Sequence, residues 1–382
     1  MLRVFVPRER ASGETRVAAT PETVQKMVGA GHSVVVETGA GAASSCSDPA
    51  YVEAGASIAS ETETLDQWRD ANIVLTVSGP SLEQAGLMGK GALVVGLLSP
   101  HRNLDVVAQL RDGETSALAM ELVPRISRAQ GMDALSSQAS IAGYKAVLLG
   151  AAGLDRYFPL LMTAAGTIKP AKVVIMGAGV AGLQAIATAR RLGAVVSVSD
   201  IRDVVREQVE SLGGRFIDLP DMGESGEGEG GYARQVTKEF LARQQEIVAG
   251  YVEKADVVIT TALVPGRPAP RLVTEAMVQS MRDGAVIVDL AVEQGGNCEL
   301  SERDTEVTRH GVRIMGFSNL PATMPTDASM LYARNVWALL QVAVSDGALK
   351  LDTNDEIIDG AMLVHAGQVR HERTADALRG ES

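Results

Sequence analysis

The sequence predicts an α/β fold with two doubly wound parallel sheets, in two domains joined by long helices. Short β-branched runs alternate with helical segments along most of the chain, which is typical of parallel sheets covered by helices on both faces. A length of 382 residues exceeds what one ordinary hydrophobic core serves, so we expect two domains. A Gly-rich turn at 177–182 joins a predicted strand to a predicted helix, which favours a doubly wound sheet around it.

The first third of the chain alternates apolar runs with helical segments. Five runs predict strands, at Leu2–Val6, Ser33–Glu37, Ile73–Val77, Ala92–Leu98 and Ser116–Met120. A helix is predicted to begin at Pro21, because Pro fits the first helical position and Thr20 is a good N-cap. This alternation predicts the first parallel sheet.

The middle of the chain repeats the alternation after an Ala-rich helix predicted at 136–154. Strands are predicted at Val173–Met176, Ala194–Val198, Val257–Thr261, Ala285–Ala291 and Val312–Gly316, with helices after 180, near 204–212 and near 232–253. A helix at 326–344 is expected to return the chain to the first domain. The predicted domains are therefore 1–135 with 327–382, and 136–326.

The C-terminal segment departs from this pattern. Residues 350–365 alternate apolar and polar side chains around Asp359-Gly360, which favours a hairpin with its turn at that dipeptide. The last dozen residues are polar, and we expect them to be frayed.

The Gly-rich turn predicts a dinucleotide site of the Rossmann type. Gly177 permits a tight turn, Gly179 lets the backbone approach a pyrophosphate, and Gly182 lets the helix pack close to the strand. The helix that starts there offers unpaired N–H groups and a partial positive charge to phosphates. The alternative is a plain strand–helix turn without a ligand.

Asp200 decides between these two interpretations. It ends the next strand at about the 20-residue spacing expected of the acid that binds the adenosine ribose hydroxyls. A carboxylate about 4 Å from a 2′-phosphate is repelled by roughly 4 kcal/mol at an effective dielectric near 20, which favours NAD over NADP. Arg202 can soften that preference.

The composition excludes several classes of partner. A net charge of −12 disfavours nucleic acids and anionic membranes. Cys46 and Cys298 are isolated, so we expect neither a metal site nor a disulfide framework, and a reducing compartment fits. The chain contains no run of about 20 apolar residues and begins without a signal-peptide pattern, so we expect no membrane span.

An acidic, Gly-rich segment at 218–231 interrupts the second domain. It contains too little apolar surface to offset the entropy of ordering it. It is either a passive surface loop or a mobile lid, with Tyr232 at its hinge end able to close over the nucleotide.

The densest polar cluster runs from Arg125 to Ser136, directly after a predicted strand, where ligand groups lie in α/β folds. Its cations, amide, acid and hydroxyl are the groups that a nicotinamide carboxamide requires, although a capped interdomain turn is the alternative. Other acid–base candidates are few. Of five scattered His residues only His101, in a loop after a strand, is a credible catalytic candidate.

These residues identify a family. The chain resembles the NAD(H)-binding component, domain I, of the proton-translocating NAD(P) transhydrogenases, within the alanine dehydrogenase superfamily. The resemblance covers nearly the whole chain and is weakest beyond about Asp346. The segments that carry it are 7–9, 14–18, 121–130, 162–167, 260–266 and 289–293, of which RISRAQ at 125–130 is the most specific.

The resemblance implies roles for individual residues. Those expected to hold the nicotinamide half are Arg125, Ile126, Ser127, Arg128, Gln130, Asp133 and Ser136. Gln130 is expected to approach a second nucleotide across a subunit interface, and Arg125, Asp133, Ser136 and Tyr232 to assist the transfer. Those expected to hold the rest of the dinucleotide are Gly177, Gly179, Val180 and Gly182 at the pyrophosphate, Asp200, Ile201 and Arg202 at the ribose, Gly231 and Tyr232 in the mobile loop, and Gln244 and Leu263 in the lining.

An alanine dehydrogenase-like enzyme is the main alternative. The resemblance implies that such an enzyme uses an Arg, a Lys and a His in its first domain, and Arg16 matches the first. Residues 74–80 contain no Lys, and Leu97 stands at the His position, with His101 displaced. The catalytic Asp is here Glu293. These departures argue against amino-acid deamination, although transhydrogenases often keep the same Lys and His.

The resemblance therefore implies hydride transfer from NADH on this chain to NADP⁺ on a partner subunit. Transfer between two nicotinamides needs no substrate proton, which fits the scarcity of acids and bases. The family implies a homodimer at the inner face of the cell membrane, attached through an NADP-binding beta subunit and membrane-spanning subunits that translocate the proton. A module that senses NAD without catalysis is a third possibility.

Overall fold

The computed structural model describes residues 1–219, 238–264 and 268–380. Contacts divide the chain into two compact units. Unit 1 contains Met1–Gln138 and Pro321–Ser382, and unit 2 contains Ala139–Leu320. The domain boundaries expected above, 135/136 and 326/327, stay a prediction about how the chain is divided into domains.

The chain begins in unit 1 with six strands and five helices among the described residues. The strands are β1 (Arg3–Val6), β2 (Ser33–Glu37), β3 (Ser57–Ala59), β4 (Ile73–Ser78), β5 (Leu93–Leu97) and β6 (Ser116–Ala119). The helices are α1 (Pro21–Gly29), α2 (Asp48–Glu53), α3 (Thr64–Asp70), α4 (Leu82–Leu87) and α5 (Leu104–Asp112).

A long helix, α6 (Ala134–Gly153), contains the boundary between the units, and unit 2 follows. Its strands are β7 (Leu161–Thr163), β8 (Gly166–Ile168), β9 (Lys172–Met176), β10 (Val195–Ser199), β11 (Arg215–Phe216), β12 (Val257–Thr260), β13 (Val286–Asp289), β14 (Thr305–Arg309) and β15 (Val312–Gly316). Its other helices are α7 (Val180–Arg191), α8 (Arg206–Ser211), α9 (Lys238–Val252) and α10 (Glu275–Ser280).

The C-terminal portion of unit 1 completes the chain. It contains the helices α11 (Pro325–Ala343), α12 (Glu356–Ala361) and α13 (Glu372–Arg379), and the strands β16 (Val344–Ser345), β17 (Ala348–Leu349), β18 (Met362–His365) and β19 (Gln368–Val369). The predicted helix from Thr326 is therefore confirmed, and its residues belong to unit 1.

The two large sheets have the same core topology. In unit 1 the strand order is β19-β18-β6-β5-β4-β1-β2-β3, and in unit 2 it is β11-β10-β9-β12-β13-β15-β14. The neighbouring strands in the row β6-β5-β4-β1-β2-β3 pair in parallel, as do those in the row β11-β10-β9-β12-β13-β15. The antiparallel strands of the two sheets are β18 and β19 at one edge of the first and β14 at one edge of the second. In both sheets the order in which the chain adds strands reverses beside one strand, β1 in unit 1 and β9 in unit 2. Such a switch point is where α/β folds place their ligands.

Alternation along the strands explains why both faces of each sheet are covered. In β1, Val4 and Val6 pack into one apolar cluster and Phe5 into another. In β9 the side chains at 173 and 175 face one cluster, and those at 174 and 176 face the other. The predicted α/β fold with two doubly wound sheets is confirmed.

Two predictions for the C-terminal segment are wrong. The turn expected at Asp359-Gly360 lies inside helix α12, because Asp355 caps that helix by accepting the Ile357 amide at 2.9 Å. The true hairpin joins β18 to β19 through Ala366 and Gly367, both at positive φ. The tail expected to be frayed contains α13, in which Thr374 is buried.

Candidate functional site

The glycine turn of unit 2 is crowded at two positions and open at the third. Gly177 has φ +104°, and a Cβ there would lie 2.5 Å from Thr261 Oγ1. A Cβ on Gly182 would overlap the Gly177 carbonyl oxygen, whereas a Cβ on Gly179 would meet nothing within 4 Å. The turn is therefore closed where strand and helix meet and open at the position expected to face a pyrophosphate.

Helix α7 starts directly at this opening. Val180 is its first residue and is 41% exposed. The first-turn N–H groups of a helix lack acceptors within the helix and carry a partial positive charge. This end of α7 is therefore suited to an anion such as a phosphate.

Asp200 ties the glycine turn to the end of β10. Its carboxylate accepts the Ala178 amide at 2.7 Å, and the Asp200 side chain is only 4% exposed. The Arg202 guanidinium turns back on the same carboxylate, with Nε 3.0 Å from Oδ1 and Nη2 2.8 Å from Oδ2. The charges of Asp200 and Arg202 therefore balance each other.

Two further predicted residues lie at the same edge of the sheet. Gln244 on α9 is buried, and its Nε2 donates to Ser199 Oγ at 3.3 Å. Its Oε1 has no hydrogen-bond partner among the described residues, which makes it an available acceptor. Leu263 follows β12 and is 36% exposed, so it offers an apolar surface there.

Sequence reasoning missed the residues that support this edge. Asn297 is buried and holds the segment after β12, since its amide exchanges hydrogen bonds of 3.0 and 2.9 Å with the Ala262 backbone. Asp289 accepts the Thr260 hydroxyl and the Cys298 amide, both at 2.9 Å. The available signal was polar residues near the ends of the predicted strands 257–261 and 285–291, namely Thr260 and Asp289, and Asn297 lies outside both predicted strands.

The RISRAQ segment belongs to unit 1. Residues Ser127–Met132 form a 3₁₀ helix, in which Ala129 and Met132 are buried in the core of the unit. Arg125 and Gln130 are exposed. Because Ala129 and Met132 anchor the turn in the core, the exposed polar side chains of the turn are attached to a fixed backbone.

Asp133 and Ser136 lie at the start of α6. Asp133 Oδ1 accepts the Ser136 amide at 2.8 Å, and Oδ2 accepts the Ser136 hydroxyl at 2.5 Å. This arrangement is that of an N-cap, which satisfies a first-turn amide of the helix. Both side chains are partly exposed, so the cap leaves each of them a surface for a ligand.

Arg128 forms a bidentate ion pair with Asp355, the N-cap of α12. Both Nη atoms lie 2.8 Å from carboxylate oxygens of Asp355. Arg128 holds the pKa of the Asp355 carboxyl at about 2, with help from the Ile357 amide. No sequence pattern indicated this partner, because more than 200 positions separate the two residues.

Carboxylates fill the edge of the unit 1 sheet that corresponds to the nucleotide edge of unit 2. Glu9 accepts the Val77 and Ser78 amides at the end of β4, at 2.5 and 3.2 Å. Glu121 accepts the Leu98 and Ser99 amides after β5, at 3.2 and 2.5 Å. Burial raises the pKa of Glu9 to about 7 and also raises the pKa of Glu121.

The remaining candidates of unit 1 are Arg16 and His101. Arg16 is buried and forms a bidentate ion pair with Glu14, in which Nε donates to Oε1 at 2.8 Å and Nη2 donates to Oε2 at 2.6 Å. Its Nη1 donates to Gln138 Oε1 at 2.9 Å. His101 is exposed on the loop after β5. Desolvation and the charges of Arg102 and Arg373 lower the pKa of His101.

The predicted site residues therefore fall into two groups. In unit 2 the structure brings together, at the ends of β9, β10 and β12, residues Gly177, Gly179, Val180, Gly182, Asp200, Ile201, Arg202, Gln244 and Leu263. In unit 1 it places on one turn and the following helix residues Arg125, Ile126, Ser127, Arg128, Gln130, Asp133 and Ser136. Gly231 and Tyr232 lie outside the described residues, as does most of the segment 218–231 predicted as a lid.

The described residues contain neither a metal-binding cluster nor a helix that could span a membrane. Within 1–219, 238–264 and 268–380, His, Cys, Asp and Glu side chains form no group of three or more that could hold a metal ion. No helix in those ranges is both long and apolar enough to cross a bilayer.

Comparison with known proteins extends over almost the whole chain. The family described as alanine dehydrogenase/PNT matches with its N-terminal domain over residues 5–142 and with its C-terminal domain over residues 146–372. The chain is 47% identical to a Rhodospirillum rubrum protein named as the first part of NAD(P) transhydrogenase subunit alpha, over 97% of this chain and 98% of that protein.

Two solved structures have nearly the same fold as this chain but differ in their sequence identity to it. A transhydrogenase from Sinorhizobium meliloti superposes with a TM-score of 0.84 at 42% identity, over 97% of this chain and 99% of that one. An L-alanine dehydrogenase superposes with 0.82 at 28% identity, over the full length of both. The fold is shared about equally, but the sequence is closer to the transhydrogenases, as the resemblance predicted. The chain therefore belongs to the alanine dehydrogenase/PNT family, and it is more similar to these transhydrogenases than to this alanine dehydrogenase.

Proposed function

We propose that this chain binds NAD(H) at the glycine turn of unit 2 and exchanges a hydride directly with NADP(H) held on a partner subunit. The observation that carries this proposal is the turn itself, open at Gly179, facing the first turn of α7 and anchored to Asp200. That arrangement supplies backbone donors for a pyrophosphate and an acid for ribose hydroxyls.

The adenosine end fits a nucleotide without a 2′-phosphate. Asp200 holds Arg202 close, so a 2′-phosphate would find no surplus positive charge there. The buried Gln244 Oε1 still needs a donor, and a hydroxyl or amino group of the nucleotide supplies one. Ile201, Val180 and Leu263 complete the apolar lining in this proposal.

The nicotinamide half is assigned to the RISRAQ turn. Arg125, Ser127 and Gln130 project from it, and Asp133 and Ser136 follow at the start of α6. Their donors and acceptors suit a carboxamide, whose orientation fixes which face of the ring is presented.

Bound NADH supplies a hydride from its nicotinamide C4, and the acceptor ring of NADP⁺ takes it with both electrons, so no proton enters or leaves at this step. The protein therefore has to align two rings at about 3 to 3.5 Å and exclude water. The exposed Gln130 on its rigid turn is the residue that we place beside the second ring.

The alanine dehydrogenase alternative lacks support from specific residues. Leu97 at the end of β5 cannot transfer protons, and residues 74–80 contain no Lys. Arg16 is balanced by Glu14. A purified chain that formed NADH rapidly from L-alanine and NAD⁺ would favour that alternative over hydride exchange.

We further propose a homodimer that works with an NADP-binding beta subunit and membrane-spanning subunits, at the cytoplasmic face of the membrane. The R. rubrum relative is named as only the first part of an alpha subunit, which supports further subunits. The two-stranded sheet β7–β8 supports self-association, since Met162 on β7 is 80% exposed and Leu160, the residue before β7, is 53% exposed. Isolated hairpins with exposed apolar side chains need a packing partner.

Reconstitution tests the proposal. The chain is mixed with an NADP(H)-binding transhydrogenase subunit, NADPH and the 3-acetylpyridine analogue of NAD⁺, and reduction of the analogue is followed by absorbance. We expect transfer only when both proteins are present, and no transfer with a competent partner would overturn the proposal. Gln130→Asn should slow transfer while the NADH dissociation constant changes little.

A further inference from the structure

We propose that Arg128 and Asp355 act as a pair of positioning residues for the RISRAQ turn, and that Arg128 does not contact the nucleotide. This inference rests on the proposed function, because it concerns how the nicotinamide turn is held during hydride transfer. It assigns a role in that reaction to α12, in the region of the chain where the family resemblance is weakest.

The geometry of the pair suits a clamp. Both terminal nitrogens of Arg128 donate to Asp355, each at 2.8 Å, which fixes the guanidinium in one plane. The Asp355 carboxylate is itself immobile, because Oδ1 also accepts the Ile357 amide at the start of α12. Both terminal nitrogens of Arg128 are therefore engaged by Asp355, and the Asp355 carboxylate balances the Arg128 charge.

Helix α12 is a firm support. Ile357, Ile358 and Ala361 bury the helix in the core of unit 1. A Cβ on Gly360 would lie 3.0 Å from Pro124, so the helix also packs closely against the residue that precedes RISRAQ. The same helix thus holds the segment at Pro124 and again at Arg128.

The far side of the turn has a separate anchor. Asn335 on α11 donates to the Gly131 carbonyl at 2.8 Å and accepts the Ser137 hydroxyl at 2.7 Å. Gln130 lies between the Arg128 and Asn335 anchors. Losing the ion pair would remove one of the contacts that fix the turn beside Gln130. Small displacements of a positioning group slow hydride transfer steeply.

The test compares Arg128→Gln, Asp355→Asn and the double variant in the reconstituted complex. Asn is a good N-cap, so Asp355→Asn removes the ion pair and keeps the start of α12. We expect each single variant to slow single-turnover hydride transfer by about ten-fold, with the NADH dissociation constant within about two-fold of the wild type. The double variant should be no slower than the singles, because both remove one shared interaction.

Arg370→Gln is the matched control. Arg370 donates to Asp359 of α12 at 3.0 Å, and no hydrogen bond or ion pair found among the described residues joins Arg370 to the turn. Its loss should therefore leave transfer unchanged. The inference is overturned if Arg128→Gln weakens NADH binding while Asp355→Asn resembles the control, since Arg128 would then be a ligand contact. It is also overturned if both singles resemble the control. Failure of the wild-type complex to transfer hydride would instead contradict the proposed function.

Discussion

The two units share the same core strand order, but the sheet edge at the switch point is open in unit 2 and filled by side chains in unit 1. In unit 2 the edge beside β9 carries a glycine turn that is open at Gly179. In unit 1 the corresponding edge beside β1 is filled by the side chain of Glu9, which takes the Val77 and Ser78 amides at the end of β4. Glu121 does the same for the strand beside it.

The comparison shows that topology provides a crevice and that local residues decide what fills it. Backbone N–H groups at strand ends attract an anion in both units. Unit 1 supplies that anion from its own side chains, whereas unit 2 leaves room for the phosphates of a ligand. Substitutions at the two edges should therefore have separable effects on stability and on NADH binding.

The largest expected effect is that of Gly182→Ala. The added Cβ would overlap the Gly177 carbonyl oxygen and displace the start of α7. We expect NADH affinity to fall at least ~100-fold and the free energy of unfolding to fall by about 1 to 3 kcal/mol. Fluorescence titration with NADH and denaturant unfolding measure the two quantities. Unchanged affinity would mean that the turn is not the nucleotide site.

Asp200→Asn should have the next largest effect. The substitution weakens the Ala178 anchor and removes the negative charge that pairs with Arg202, so we expect NADH to bind about 30-fold more weakly. NADPH should lose less affinity, because the repulsion of its 2′-phosphate is relieved. Asp203→Asn is the matched control, since Asp203 pairs with Arg206 on the surface. Equal losses for NADH and NADPH would contradict a role for Asp200 in selecting NAD.

Gly179→Ala tests whether the space at the glycine turn is needed for binding the nucleotide and not for folding. Its Cβ meets no protein atom within 4 Å, and the backbone there has φ −75°, which Ala adopts without strain. We expect the free energy of unfolding to stay within about 0.5 kcal/mol of the wild type, while NADH binds about ten-fold more weakly. Wild-type NADH affinity in this variant would show that the opening does not face the pyrophosphate.

Glu9→Gln tests the filled edge and should have the smallest effect. The pKa of Glu9 is about 7 in the folded chain against an ordinary value of 4.5, so the folded state binds more protons between those two values. Wild-type stability should therefore fall as pH rises from about 5 to 8, by a free energy on the order of 1 kcal/mol. Denaturant unfolding at several pH values should show a smaller fall in the Glu9→Gln variant than in the wild type, because Glu121, whose pKa burial also raises, still contributes. NADH affinity should not change.

The features of the fold and of the site that could be predicted from the sequence are those determined by residues close together in the chain. Strand β2 and the strand–turn–helix unit around Gly177 were foreseen because alternation, glycine spacing and the following acid all lie within a short window. The Asp359-Gly360 turn was wrong because a capped helix overrides a two-residue turn signal, and only the buried Ile357 and Ile358 reveal it.

Long-range partners could not be foreseen in the same way. Asp355 meets Arg128, and Glu9 meets Val77, only because the folded sheet and its helices bring distant segments together. In a single sequence these acids resemble any solvated surface charge. The glycine site was therefore predictable from its motif, but the carboxylates that fill the other edge were not.

Calorimetric titration of the full chain with NADH tests most directly the claim that the pyrophosphate binds at the open sheet edge of unit 2 and that the carboxylate-filled sheet edge of unit 1 binds no second nucleotide. We expect about one NADH per chain, lost in Gly182→Ala and retained in a Glu9→Gln, Glu121→Gln variant whose folding is verified by circular dichroism. Two equivalents per chain, or one that survives Gly182→Ala and disappears in the glutamate variant, would contradict the account.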